Sequence, residues 1–306
     1  MSELWYNVRS GVLRAFQRLP LGFHYAVGRV AEFFLRDVVH YRRDIVMANL
    51  ARSFPDKDYS WLKSTCKASY RHMGEVFAEA MFFGGCRGTT RLHDSRLAEI
   101  VDCSDMFQTI RQKSIMVLDS HFGNWEISGG SFEYFYRPPL MKDEMSPDQI
   151  CVVYKELSSR FWNRFMAENR CSAIPGFQGY TESRGVVRYA YAHKDEHKCY
   201  LFPTDQYPYK GAAFCEVPSF MGQNTKAMTG GAALACKFGM AVYFMCCDRP
   251  EKGHYKIRIS KICDDASQST PQSIMTEYYR RLEEAVRERP ENYLWSHRRW
   301  KARDNH

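Results

Sequence analysis

The chain is 306 residues long, with 45% hydrophobic and 15% aromatic residues, so it can bury a sizeable core and is expected to fold as a globular protein. Its formal net charge of +8 favours contact with phosphates in nucleic acid, lipid head groups or phosphorylated substrates. The sequence contains no long run of like charges and no zinc-finger, RNP or basic-zipper pattern. Nucleic acid is therefore not the expected partner.

The eleven cysteines are interpreted as reduced, structural thiols. The N-terminus "MSELWYNVRSGVLRAF" lacks the apolar core and cleavage site of a secretory signal, which favours the cytosol over an oxidising compartment. The sequence has no C-x-x-C pair and no metal-ligand cluster or Walker-type loop. We therefore expect neither a metal nor an organic cofactor.

The N-terminal segment has an amphipathic pattern, because Leu4, Val8, Val12, Phe16 and Leu19 fall on one face of a helix. Arginines interrupt every apolar stretch before it reaches the 18 residues of a spanning helix. One interpretation is an interfacial helix on an anionic membrane surface. The alternative is a helix whose apolar face packs on the core and whose charged side is solvated, and the two interpretations can both hold in part.

Residues 1–110 have helical patterns, including "RRDIVMANLARSFP", which should end at the Phe54–Pro55 pair, and the long "SWLKSTCKASYRHMGEVFAEAMFF". From about residue 113, short apolar runs alternate with helical segments. The runs are "SIMVLDS", "QICVVYK", "KCYLFPT", "GMAVYFMCC" and "HYKIRIS". This alternation predicts the α/β class, with a mostly parallel central sheet flanked by helices.

The expected organisation is a helical N-terminal region, residues 1–110, followed by an α/β core, residues 111–306, in one continuous domain. "SSRFWNRFMAENR" and "TKAMTGGAALACKFG" are predicted helices, with Gly222 in a turn and Thr225 before the second of them. The last helix should begin with Thr270 as N-cap and stop before Pro290.

The stretch "LDSHFGNWE" places His121 at the C-terminal end of a predicted strand and Glu126 five positions later. Ligands bind at that end of open α/β sheets. Gly123 and Asn124 suit a turn that would bring Glu126 back to the His121 ring, where a carboxylate can stabilise imidazolium while the other ring nitrogen takes a proton. The alternative is a satisfied core histidine, with Glu126 as a charge at a helix N-terminus.

The segment "HFGNWE" resembles the His-x4-Asp/Glu signature of the lysophospholipid acyltransferase superfamily, in the form carried by the late acyltransferases of lipid A biosynthesis. Other stretches resemble that family in the same order along nearly the whole chain. They are "HYRRDIVMANLARSFP", "VVYKELSSRFWNRFMAENR", "DQYPYKGAAFCEVPSFMGQNTKAMTGGAALACKFGMAVYF" and "ENYLWSHRRWK".

The resemblance implies transfer of a fatty acyl chain from acyl carrier protein to a hydroxyl of a lipid A precursor, at the cytoplasmic face of the bacterial inner membrane. It makes His121 the general base and Glu126 its partner. No nucleophile elbow is present, so the acceptor hydroxyl is expected to attack the thioester directly. The chain lacks a clean apolar N-terminal span, which favours peripheral or monotopic attachment.

Further residues are candidates for substrate binding. Lys155, Arg164 and Arg170 offer cations for phosphates or for a carrier protein, and the alternative for each is a solvated helix charge. Arg164 and Arg170 lie about 240° apart on a helix, so at most one should face the site. The family likeness favours Arg164. Asp205 and Gln206 follow a predicted strand and are expected to contact a sugar or to support the dyad. Asn124 is the remaining candidate for substrate binding.

Other functions fit the same residues. The dyad could acylate a glycerophospholipid, an aminolipid or a glycolipid instead. Water in place of the acceptor would make the protein a thioesterase. A non-catalytic lipid-binding protein would keep the fold without turnover and would not need His121 or Glu126.

Overall fold

A computed structural model of the chain describes residues 3–86, 90–101, 103–127, 145–170, 172, 177 and 179–301. Its N-terminal region is helical, as predicted. The first four helices are α1 (Glu3–Gln17), α2 (Leu21–Phe33), α3 (Arg43–Ser53) and α4 (Tyr59–Gly84), and a π-helical turn, Phe34–Val38, follows α2. Helix α3 ends where Phe54 and Pro55 were expected to end it, because proline disfavours helical geometry in the residue before it.

Nine strands are described. They are β1 (Ala98–Val101), β2 (Ile115–Asp119), β3 (Ile150–Tyr154), β4 (Tyr180–Glu182), β5 (Cys199–Pro203), β6 (Phe214–Phe220), β7 (Gln223–Met228), β8 (Ala241–Glu251) and β9 (His254–Cys263). Seven of them form one sheet in the order β1-β9-β8-β2-β5-β3-β4, and only the β8/β9 pair is antiparallel. The predicted α/β class with a mostly parallel sheet is confirmed.

Strand β2 is central and buried on both faces, which explains its continuous apolar sequence. Met116 and Leu118 pack into the cluster on one side of the sheet, while Ile115 and Val117 pack into the cluster on the other. Alternate side chains of a strand point to opposite faces, so one short run supplies both clusters. The residues that follow β2 therefore lie at the centre of the edge formed by the C-terminal ends of the parallel strands.

The remaining helices cover the sheet. They are α5 (Thr90–Ser95), α6 (Ser104–Ile110), α7 (Arg160–Arg170), α8 (Val186–Ala192), α9 (Gly230–Phe238) and α10 (Pro271–Glu288). The predicted start of α10 is confirmed, because the Thr270 side chain accepts a hydrogen bond from the Ser273 amide in a capping box. The helix ends at Glu288, before Pro290 as expected.

The prediction of a helix from Thr225 was wrong for its first residues. Strands β6 and β7 form a separate antiparallel hairpin with Gly222 in the turn at φ +72°, and α9 starts only at Gly230. Thr225 and Ala227 are buried while Asn224 is exposed, an alternation with the period of a strand. The Thr225 hydroxyl donates to the Gln223 carbonyl rather than capping a helix.

Helices α1 and α2 bury some of their polar side chains and expose many of their apolar ones. Ser10, Gln17 and Glu32 are buried, whereas Leu4 is 73% exposed and Val12 is 69% exposed. Leu4, Val8 and Val12 therefore do not pack on the core, whereas half-buried Phe16 packs against the ring of buried His24, so the core-packing alternative fails for most of that face. None of the helices in the described part of the chain is both long enough and apolar enough to cross a bilayer.

Candidate active site

The site lies where strands β2 and β5 end side by side. The two strands are parallel neighbours, and their register pairs Asp119 with Pro203. His121 and Asp205 each follow two residues later, so the register brings their side chains together. The Thr204 amide donates to the Asp119 carbonyl and continues the ladder by one step. Sequence positions far apart thus meet because of strand pairing.

Both ring nitrogens of His121 have partners. Nδ1 lies 2.7 Å from Oδ1 of Asp205, and Nε2 lies 3.0 Å from the Gln206 amide nitrogen. A carboxylate accepts and an amide NH₂ donates, so neutral His121 carries its proton on Nδ1 and presents a lone pair on Nε2. This is the tautomer that a general base at Nε2 needs. The His121 side chain is 17% exposed and that of Asp205 is 3% exposed, so bulk water screens the pair little.

The pair is electrostatically coupled. Burial opposes the charged form of His121, but the charge of Asp205 and its hydrogen bond outweigh this and raise the pKa of the imidazole above its ordinary value. Burial likewise opposes ionisation of Asp205, and the charge of His121 and the hydrogen bond nevertheless hold the pKa of Asp205 below its ordinary value. The arrangement stabilises an imidazolium next to a carboxylate.

A second buried carboxyl lies beneath His121. Asp119 is 3% exposed, and burial raises its pKa to about 7 although the Ser120 amide donates to it. The Tyr278 hydroxyl donates to the Asp119 carbonyl and ties this strand end to α10. Burial therefore favours the protonated form of Asp119.

The backbone after His121 is held against the C-terminal segment. The Leu294 amide donates to the His121 carbonyl at 3.2 Å, and the Gly123 amide donates to the Asn292 carbonyl at 3.0 Å. Gly123 has φ +70°, and a Cβ there would lie 1.9 Å from the Cys247 carbonyl oxygen. Only glycine fits this turn, which fixes the direction in which the His121 ring points.

The expected hydrogen bond from Glu126 to the His121 ring was wrong, because Asp205 occupies that position. Both oxygens of Glu126 instead accept from the Arg170 guanidinium at 2.8 Å, and the Trp125 indole donates to one of them. The Trp125 ring lies 5.1 Å from that of His121. Glu126 still acts on His121 at a distance, since its charge contributes to the raised pKa of the imidazole.

A buried carboxylate that the sequence analysis missed supports this loop. Glu79 of α4 is fully buried and accepts from the hydroxyls of Tyr25 and Tyr255 and from the Asn124 side-chain amide. The Asn124 side-chain oxygen Oδ1 in turn accepts from the Glu126 backbone amide. Both polar atoms of the Asn124 side chain therefore have partners within the protein. The sequence pattern of α4 did not indicate that Glu79 would contact this loop.

The two arginines of α7 separate as their helical spacing required, but the preference for Arg164 was wrong. Arg170 is the one that reaches the site, through Glu126. Arg164 pairs with Glu3 and Glu168 at the surface and lies 3.8 Å from the centre of the Tyr6 ring. It therefore holds α1 against α7.

Lys155 contacts the loop that carries Asp205 and Gln206. Lys155 is exposed just beyond β3, with its ammonium 4.5 Å from the centre of the Tyr209 ring. Tyr209 belongs to the loop that carries Asp205 and Gln206. The lysine thus flanks the site without touching His121 in the described contacts.

The C-terminal segment "HRRWK" contains buried residues that contact the site. Arg299 is 2% exposed, donates to the Lys226 carbonyl and the Tyr279 hydroxyl, and its charge lowers the pKa of Asp205 after the larger effects of burial and His121. His297 accepts from the Tyr207 amide. The tail therefore forms the back of the site, which its basic composition concealed.

The chemistry available is proton transfer at a buried, oriented imidazole. Among the residues that the structure describes, no three His, Cys, Asp or Glu side chains are grouped to hold a metal ion. A family model described as "Bacterial lipid A biosynthesis acyltransferase" matches residues 4–302. A comparison with curated protein sequences found no match.

Proposed function

Since the chain belongs to the family of bacterial lipid A biosynthesis acyltransferases, its reaction is acyl transfer onto lipid A or a related lipid, and we propose that it transfers a fatty acyl chain from acyl carrier protein to a hydroxyl of a lipid A precursor. The observation that carries the proposal is the His121–Asp205 pair, because His121 is the first residue of the segment "HFGNWE" that resembles the family's signature. Glu126 and Arg170 lie beside it.

His121 is the general base. Its Nε2 takes the proton of the acceptor hydroxyl while the oxygen attacks the thioester carbonyl, and the proton then goes to the leaving thiolate. Asp205 keeps the Nδ1 proton in place and stabilises the imidazolium that forms between the two transfers. No covalent acyl-enzyme is needed, because the acceptor itself is the nucleophile.

Gln206 occupies the position beside His121 Nε2 that the acceptor hydroxyl must take. Its amide donates to His121 Nε2 at 3.0 Å, so the acceptor hydroxyl must take that place to reach the base. Gln206 is half-buried beside the exposed mouth of the site, where a side chain can swing aside. The same amide can then bind the substrate next to the reacting hydroxyl.

Arg170 and Lys155 supply positive charge for an anionic substrate. Arg170 is fixed by the bidentate pair with Glu126, and Lys155 is exposed at the rim. A fixed guanidinium suits a phosphate of the precursor, and an exposed ammonium suits either that phosphate or the acidic surface of the carrier protein. Glu126 thus serves the site by positioning Arg170 and by adding negative charge near His121.

The exposed apolar face of α1 and α2 binds the inner membrane from the cytoplasm. Its members include Leu4, Trp5, Val8, Val12, Phe23, Val30 and Phe33, each at least 48% exposed. A continuous apolar face of this kind marks an interaction surface, and arginines interspersed with it would meet anionic head groups. Buried polar residues on the opposite side of the same helices anchor them to α4 and α7.

The test is a panel of acceptors in mixed micelles with labelled acyl carrier protein as donor. Transfer to a Kdo-lipid A precursor, exceeding transfer to glycerophospholipid or aminolipid, is the expected result. Preferential acylation of another lipid would show that this lipid, and not the lipid A precursor, is the acceptor. Release of free fatty acid without any acceptor would identify a thioesterase, and binding without turnover would identify a lipid-binding protein.

A further inference from the structure

Helix α2 is fixed closely on α4. The two helices cross in backbone contact, since a Cβ on Gly28 would lie 2.5 Å from the Gly74 carbonyl oxygen. Three residues before Gly28, the Tyr25 hydroxyl donates to Glu79 of α4 at 2.7 Å. The Tyr25 ring is covered by Lys252, whose ammonium lies 3.9 Å from the ring centre. A hydrogen bond and a close helix crossing therefore fix α2 on α4 together.

Helix α4 also holds the turn that follows His121. His72 and Glu79 are seven residues apart, which is close to two helical turns, so they share one face of α4. His72 Nε2 donates to the Gly123 carbonyl at 3.0 Å, and Oε2 of Glu79 accepts from the Asn124 side chain at 2.9 Å. Two consecutive residues of the turn are thus bound to the helix on which α2 is docked.

Asn124 extends this contact to the residues after it. It is completely buried, its Oδ1 accepts from the Glu126 backbone amide at 3.2 Å, and its carbonyl accepts from the Ile127 amide at 3.4 Å. The Glu126 side chain is paired with Arg170 and adds negative charge near His121. The position of Asn124 therefore helps to place the carboxylate that lies beside the base.

Glu79 is the carboxylate at which these contacts meet. It is fully buried; Tyr25 donates to Oε1, while Asn124 and the Tyr255 hydroxyl, at 2.6 Å, donate to Oε2. Burial raises the pKa of Glu79, and the hydrogen bonds and the charge of Arg249 oppose that rise. A buried carboxylate that loses a donor is left with an unsatisfied oxygen, which costs free energy and weakens the hydrogen bonds that remain. Loss of the Tyr25 contact therefore disturbs Asn124.

We propose that Glu79 is a positioning residue of acyl transfer, which links the docking of α2 on α4 to the orientation of the turn between His121 and Glu126. The proposal rests on the proposed function in taking His121 as the base and α2 as part of the membrane-binding face. Glu79 acts through Asn124 rather than on the reacting atoms. Turnover is therefore fastest while α2 is docked with the Tyr25 hydroxyl bound.

Amide hydrogen exchange of residues 121–127, followed by mass spectrometry, measures the link without any substrate. Tyr25→Phe keeps the ring and removes only the hydroxyl. It should speed exchange in this segment about three- to tenfold, because Asn124 protects the amides of Glu126 and Ile127. Exchange in β5 should stay unchanged, which excludes global unfolding as the cause. The matched control is Tyr59→Phe, at an exposed tyrosine at the start of α4, and it should leave the segment unchanged.

Kinetics distinguish positioning from membrane contact. With the acceptor in vesicles of phosphatidylethanolamine and phosphatidylglycerol, Tyr25→Phe should lower kcat about three- to tenfold. KM and partitioning into the vesicles should stay unchanged, because the lost hydroxyl contacts α4 and not the lipid. A tyrosine that served only as a membrane contact would alter partitioning and KM and leave kcat as it is.

Two substitutions of Glu79 test whether its hydrogen bonds carry the link. In Glu79→Gln the side-chain oxygen can accept from Asn124 while the amide donates to the Tyr25 hydroxyl, so kcat should stay within about threefold of wild type. Glu79→Leu offers neither group and should lower kcat by at least about tenfold. If Glu79→Leu does not fold, the Tyr25→Phe result alone decides. Wild-type exchange or wild-type kcat in Tyr25→Phe, or equal losses in folded Glu79→Gln and Glu79→Leu, would overturn the proposal.

The wild-type transfer assay is read separately. A wild-type protein that transfers no acyl chain, although exchange of residues 121–127 responds to Tyr25→Phe, refutes the proposed function and leaves the link between α2 and the turn standing. A wild-type protein that transfers acyl chains, with exchange that does not respond to Tyr25→Phe, refutes only the link.

Discussion

His121 and Asp205 form a hydrogen bond of 2.7 Å although 84 positions separate them in the chain. Parallel pairing of β2 and β5 accounts for the contact, since each residue lies two positions beyond a paired strand end. The side chain that orients the base therefore comes from a neighbouring strand rather than from the motif that contains the base. This difference leads to tests that distinguish Asp205 from Glu126.

Replacing Asp205 by asparagine should lower turnover by about a hundredfold, because the amide no longer stabilises the imidazolium. The pKa of His121 lies above its ordinary value, largely through Asp205 acting against burial, and only the neutral form is a base. The acidic limb of the rate profile should thus move to lower pH in Asp205→Asn. The measurement is kcat/KM against pH, with exposed Asp195→Asn as the matched control. An unshifted limb would contradict the assignment.

The two arginines of α7 should differ sharply in their effect on activity. Arg170→Ala removes both hydrogen bonds to Glu126 and leaves that carboxylate largely buried without its main partner, so kcat/KM should fall by at least about tenfold. Arg164→Ala removes exposed ion pairs and should change kcat/KM less than about twofold. Equal losses in the two variants would show that the structure misassigns them.

Asp119 should make the protein less stable at higher pH. Its folded pKa of about 7 exceeds its ordinary 3.8, so between these values the folded protein holds a proton that the unfolded chain has released, and stability falls as pH rises. Asp119→Asn should raise the free energy of unfolding above pH 7 by up to about 4 kcal/mol, and by less at pH 5. Denaturant unfolding at pH 5 and pH 8 measures this. A gain that does not grow with pH would contradict the prediction.

The apolar face of α1 should control membrane binding. The double variant Val8→Glu, Val12→Glu should lower partitioning into anionic vesicles by at least about tenfold, because both side chains are exposed on that face and would carry charge into the interface. Val187→Glu places one such charge at another exposed valine, on α8, and should leave partitioning unchanged. Equal binding by the wild-type protein and the double variant would exclude α1 as the anchor.

Much of the fold followed from local patterns. The buried runs around Ile115 and Cys199 and the capped start of α10 are determined by nearby residues, so sequence periodicity located them. The hairpin of β6 and β7 escaped prediction because the glycines and alanines after Met228 form a helix that masked the strand before it. Residues 223–228 were predicted to be helical from their composition, whereas their alternating burial is that of a strand.

The site was only partly accessible from sequence. The motif pointed to His121, but its contact with Asp205 depends on the register of two strands, which no local pattern encodes. Arg170, rather than the predicted Arg164, reaches Glu126. The spacing of the two arginines separates them on α7, but the position of α7 in the fold decides which of them faces the loop after β2. Glu79 and Arg299 are buried charges whose partners come from distant elements, so a sequence pattern shows them only as ordinary helix or tail residues.

The most direct test of the central claim is acyl transfer from labelled acyl carrier protein to a Kdo-lipid A precursor, comparing the wild-type protein with folded His121→Ala. We expect transfer by the wild-type protein and a loss of about a hundredfold or more in the variant, since Nε2 of His121 is the base in the proposed reaction. Equal transfer by both proteins would contradict the account and leave His121 with a structural role alone.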